Sequence, residues 1–117
     1  MDLTNVDWQQ TRYPGMAIHF YRSGRRELAD AAAGVPGRVV ALIRMAPGTG
    51  YPRHKHRGAE DVLVLRGAYA DELGVHRAGD FITYADGTTH TPVAVDGESE
   101  EDCILLSVAH EGIQLER

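Results

Sequence analysis

Only one cysteine, Cys103, occurs in this chain of 117 residues, so an internal disulfide is excluded and a reducing compartment suits it. Long apolar runs are missing too, and nothing approaches the ~20 residues a membrane-spanning helix needs. The opening "MDLTNVDWQQTRYPG" lacks the basic end and apolar block of a secretory signal, and a cytoplasmic chain with no membrane partner is the expectation. Positive charge is scarce. Lys and Arg number 12 against 17 Asp and Glu, and the net charge of −5 argues against a nucleic-acid partner, because such binders neutralise phosphates with a basic surface. No internal repeat or low-complexity stretch is present, which sets aside solenoids and disordered tails. The length holds one domain with a real core and is short for two, so a single domain over residues 1–117 is expected.

Turn signals, in contrast, are plentiful. Pro14-Gly15, Ser23-Gly24, Pro36-Gly37, Pro47-Gly48, Gly50, Gly58, Gly67, Gly74, Gly79, Gly87, Gly97 and Gly112 separate short apolar runs. Breakers every ~8–12 residues are the pattern of an all-β antiparallel sandwich or barrel. Strands are predicted near 16–22, 38–46, 52–57, 61–66, 68–71, 74–77, 80–84, 90–95 and 103–110. "RRELADAA", 25–32, reads as a short helix or a loop. The runs Val39 to Ile43, Val62 to Leu65 and Ile104 to Leu106 are apolar on both faces and ask for cover on both. One cover is the core. The other is expected from the N-terminal strand "MAIHFY" or from a second copy of the chain, and a homodimer is predicted.

The segment "PRHKHRGAEDVLVLRG", 52–67, carries the chemistry. On a strand His54 and His56 share one face, and Arg53, Lys55 and Arg57 share the other. Two inward imidazoles need a reason, since buried polar groups without partners are costly, and a divalent metal taking a lone pair from each ring supplies one. Glu60, beyond a Gly58 that can turn the chain, could return a carboxylate oxygen to the same point. In a chain with six histidines an HxH pair alone is a weak signal.

The spacing is what strengthens it. From Gly48 to Gly67 the chain reads GxxxxxHxHxxxExxxxxxG, the first motif of the cupin superfamily, and "GDFITYADGTTHTPVA", 79–94, resembles the second, with Gly79, Gly87 and His90 in place. Ala85 stands where that motif has proline and Ala94 where it has asparagine. The arginine after "LI", the "PGxxYPxHxH" approach, the "LxGxYxDE" hairpin and the "GxxHTP" ending, within 42–92, are similar to cupins related to the C-terminal domain of the ChrR anti-sigma factor, a group that includes acetylacetone and dihydroxyacetophenone dioxygenase-like proteins. The resemblance implies an all-β cupin fold, a double-stranded β-helix or RmlC-like jelly roll, here with an N-terminal extension strand. It also implies one divalent metal (Zn, Fe, Ni or Mn) on His54, His56, Glu60 and His90.

Two functions follow from the resemblance. A six-coordinate Fe²⁺, Mn²⁺ or Ni²⁺ keeps positions open for dioxygen and an oxygen-chelating small molecule, and this metal-dependent dioxygenase is the first expectation. The alternative is a zinc-binding, non-enzymatic sensor or regulatory cupin acting through a protein partner. No catalytic residue is assigned in either case. The zinc-binding anti-sigma domain that precedes the cupin in ChrR is not found here, which weighs against the sensor and towards the enzyme with a small-molecule ligand, while a complete four-ligand set weighs against the enzyme. Outside the motifs, Arg44 is expected exposed or paired at a sheet edge, with an inward role holding a substrate carboxylate as the alternative, and Tyr51, Tyr69 and Tyr84 as core or interface residues with a cavity-lining alternative. His76 reads as solvated, His110 as near the surface and Cys103 as a buried small hydrophobe. "DGESEED", 96–102, reads as a solvated acidic loop.

Overall fold

The computed structural model describes residues 3–21, 38–51, 54–56, 58–95, 101–110 and 113–115, with the strand backbone alone for 54–56 and 113–115. The region predicted as helix or loop, 25–32, and most of the acidic loop lie outside the described residues. The described secondary structure is all strand: β1 Gln9–Gln10, β2 Met16–Phe20, β3 Val39–Met45, β4 His54–His56, β5 Glu60–Arg66, β6 Ala68–Asp71, β7 Gly74–Arg77, β8 Phe81–Tyr84, β9 Thr89–His90, β10 Val93–Ala94, β11 Cys103–Ala109 and β12 Ile113–Leu115. β1 and β12 are short pieces that the apolar pattern did not signal.

A six-stranded antiparallel sheet runs β1-β2-β3-β11-β5-β8, and two three-stranded sheets run β10-β6-β7 and β12-β4-β9. The strand expected over 90–95 is divided between the two small sheets. β9 pairs with β4 and β10 with β6, and the break falls at Thr91-Pro92, where proline has no N–H to give a ladder.

The period-2 alternation decides the core. Along β5, Glu60, Val62 and Val64 are buried while Asp61, Leu63 and Leu65 are less so. Val62, Val64, Ile43, Met45 and Leu105 of the large sheet pack with Tyr69 of β6 and Ala94 of β10 in one apolar cluster. On the opposite face of the large sheet Leu42 and Ile104 are buried against Leu3, with Val6 and Trp8 beside them. The strand "MAIHFY" does not supply this cover: β2 pairs edge-on with β3 in the sheet, extending it, and the cover comes from the chain ahead of it.

Gly67 is required by close approach. It has φ +65°, and a Cβ there would lie 2.7 Å from the Asp102 carbonyl oxygen. The two departures from the second motif are absorbed locally. At Ala85 the Thr88 backbone N–H and hydroxyl both donate to its carbonyl oxygen. Ala94 is held by its N–H to Thr49 and by its carbonyl oxygen to Gly48.

Candidate metal centre

Each sheet sends a residue inward to one place. Glu60 opens β5, its Cα opposite Tyr84 on β8 and Ala109 on β11, in the same inward row as Val62 and Val64. His90 closes β9, and the register sets it directly across from His54 of β4. Both side chains are buried, and the His90 Nε2 lies 3.9 Å from the Glu60 Oε1. The structure thus brings Glu60 and His90 together and aligns the backbone of His54 with His90. The side chains of His54 and His56 lie outside the described residues.

Each of these two groups is held from behind. Ser107, on the inward face of β11, donates its hydroxyl to Glu60 Oε2 at 2.5 Å. The His90 Nδ1 lies 2.9 Å from Asp71 Oδ2. Asp71, at the end of β6, is a carboxylate with 0 % of its side chain exposed. It also accepts from the Tyr84 hydroxyl, from His76 Nε2 at 3.0 Å and from the Leu73 N–H at 3.0 Å. Burial pushes its pKa up, but the hydrogen bonds from Tyr84, His90, His76 and Leu73 outweigh that and bring it down to about 2. An ionised carboxylate only accepts, so the proton in the Asp71–His90 bond sits on Nδ1, and a neutral ring then carries its lone pair at Nε2, towards Glu60.

The tyrosines complete the wall. Tyr84 gives its proton to Asp71, so in the 2.6 Å contact between the two hydroxyls Tyr69 donates to Tyr84. Burial raises both phenols far above their usual range; the bonds to Asp71 and Tyr69 raise Tyr84 further, whereas the bond to Tyr84 pulls Tyr69 part of the way back. The Tyr84 ring lies 4.2 Å from that of His90. Tyr51 is pushed up to about 12, by burial and then by the charge of Glu60. Glu60, His90, Tyr51, Tyr69 and Ser107 line a cavity of about 20 Å³, room for roughly one water.

One sequence expectation changes on this geometry. His76 is not solvated: 12 % of its side chain is exposed, because it stands opposite Tyr69 in the β6–β7 hairpin and closes over Asp71. Tyr69 and Tyr84 are core residues that also serve the polar network, and Tyr69 and Tyr51 line the cavity. Arg44 is paired at the sheet's outer face, 3.8 Å from Asp102 and over the Trp8 ring. His110 is exposed and bonded to Asp61. Cys103 is fully buried, and burial raises its thiol to about 12. Asp71 was missed. The signal available was the period-2 pair Tyr69 and Asp71, which places a carboxylate on the face that carries a buried aromatic.

A buried carboxylate beside an imidazole whose far nitrogen is fixed by a second carboxylate is a donor arrangement that fits a divalent cation. Among the described residues no three His, Cys, Asp or Glu side chains are placed so as to hold a metal ion, and the side chains of His54 and His56 lie outside those residues.

Comparison with known proteins agrees with the architecture. The profile of the ChrR cupin-like domain matches residues 1–111, and the chain belongs to that family of cupins. One relative is the anti-sigma-E factor ChrR of Cereibacter sphaeroides, 42 % identical over 72 residues, which are 61 % of this chain and 32 % of ChrR. The crystal structure of Rhodobacter sphaeroides SigE in complex with the anti-sigma ChrR superposes with a TM-score of 0.72 at 31 % identity, over 92 % of this chain and 50 % of that one. This chain therefore corresponds to a part of those proteins, about one third to one half of their length. The polyketide cyclase RemF of Streptomyces resistomycificus shares the fold, with a TM-score of 0.68 at 20 % identity over 98 % of this chain and 82 % of RemF.

The expectation of a small-molecule ligand and a homodimer is corrected by ChrR, whose solved complex is with a sigma factor, a protein of another kind. Among the described residues no helix is long and apolar enough to cross a membrane.

Proposed function

We propose that this chain is a metal-holding regulatory cupin that acts through a protein partner, with a divalent cation, zinc foremost, on His54, His56, Glu60 and His90. The match over 92 % of the chain to an anti-sigma factor solved with its sigma factor carries the reading. The donor chemistry supports the metal. Glu60 is fixed by Ser107 and His90 by Asp71, so neither group needs to reorganise to meet a cation. A closed four-ligand zinc site contributes folding free energy, and its loss changes the state of the chain, which is what a sensor needs.

The dioxygenase reading has less support. A cavity of about 20 Å³ is far below the hundreds of Å³ of a typical small-molecule site. The test is metal analysis of the chain purified without added metal, together with oxygen uptake on a β-diketone panel. Stoichiometric zinc and no uptake are expected; stoichiometric iron with uptake would overturn the reading. For the partner, a sigma-dependent reporter should respond to expression of the chain and lose that response with His56→Ala.

A further inference from the structure

The stretch "LRGAYADE", residues 65–72, holds none of the proposed donors, yet its polar side chains surround one of them. Asp71 Oδ2 accepts from His90 Nδ1, and Asp71 Oδ1 is fixed in turn by His76 and the Leu73 N–H. Glu72 Oε1 accepts the N–H of Thr91, the residue after His90, at 3.0 Å. The Tyr69 hydroxyl meets that of Tyr84, whose ring lies against His90 and whose proton goes to Asp71. The Nδ1 edge of the His90 ring, the Tyr84 ring beside it and the backbone just beyond are all set by one hairpin and its contacts.

We propose that the β6–β7 hairpin is a positioning device for His90, in which Asp71 holds the Nδ1 proton and so keeps Nε2 as the lone-pair donor facing Glu60. The proposal rests on the metal reading for its purpose and is separable from it by experiment. A neutral imidazole has two tautomers, and only one presents a lone pair at Nε2. A hydrogen bond serving stability alone would not need to select between them. An Asp71→Asn substitution keeps the shape and removes the charge that selects the tautomer. Carboxylate–histidine–metal arrangements typically lose about 10- to 100-fold in metal affinity when the outer carboxylate is removed.

The experiment uses the full chain and Zn²⁺ itself. Long-range ¹⁵N correlation spectra of the metal-free chain, at a pH where the ring is neutral, should show His90 protonated at Nδ1 and not at Nε2. Asp71→Asn should shift the proton towards Nε2 and weaken Zn²⁺ binding, measured by chelator competition, by about 10- to 100-fold. An Nε2–H tautomer in the unsubstituted chain overturns the proposal even if the variant does not fold. So does a folded Asp71→Asn chain with unchanged Zn²⁺ affinity. The expected tautomer in a chain that takes up no zinc would defeat the metal reading and uphold the positioning of His90.

Discussion

Asp71 shows what one residue can decide. Its carboxylate is fully buried and survives as an anion because four donors surround it: Tyr84, His90, His76 and the Leu73 N–H. The folded pKa of about 2 lies below the ordinary 3.8, so ionised Asp71 stabilises the fold above the upper value. That stability is lost as pH falls through the lower one. The shift corresponds to a contribution on the order of 2 kcal/mol. Denaturant melts of the metal-free chain between about pH 4 and pH 2 should fall in midpoint as pH drops, and Asp71→Asn should flatten that part of the fall. Equal slopes in both proteins would contradict the assignment. Ser107 makes a smaller claim of the same kind. Ser107→Ala leaves Glu60 Oε2 without its hydroxyl donor in a buried setting and should cost about 1–3 kcal/mol, read from the melting midpoint.

Strands were legible from the sequence because alternation and glycine punctuation are local. The inward row Glu60, Val62, Val64 is the period-2 pattern made solid, and both cupin motifs fall on the strands that carry Glu60 and His90. What hides in a sequence is the non-local polar partner. His76 sits in a hairpin of exposed residues and looks solvated until β6 brings Tyr69 and Asp71 beside it. The chain's change of sheet at Pro92 was hidden similarly, since nothing local says which neighbour takes β9 and which takes β10. Gly67 is where β5 hands over to β6. With φ +65° and a backbone oxygen 2.7 Å from any added Cβ, Gly67→Ala should destabilise by about 1–3 kcal/mol or more, visible as a lowered Tm. An unchanged Tm would mean that the Asp102 backbone can retreat.

For the whole molecule, the outer face of the large sheet set the problem that a homodimer was expected to solve. The chain itself supplies cover for Leu42 and Ile104 with Leu3, Val6 and Trp8. Trp8 is the chain's single tryptophan, so its fluorescence reports on that cover. Its unfolding transition should coincide with the far-ultraviolet transition of the strands; an earlier change would mean that the segment lifts off by itself. The chain matches only 32 % of ChrR and 50 % of the chain in the solved complex, so a separate anti-sigma segment is no ground for or against an enzyme. The proposed function depends on four side chains from three strands, β4, β5 and β9, holding one cation, and X-ray absorption at the metal edge of the natively purified chain tests that most directly. A first shell of three imidazole nitrogens and a carboxylate oxygen at about 2.0–2.2 Å is the predicted result. A metal-free chain after exposure to zinc, or a shell without imidazole, would contradict it.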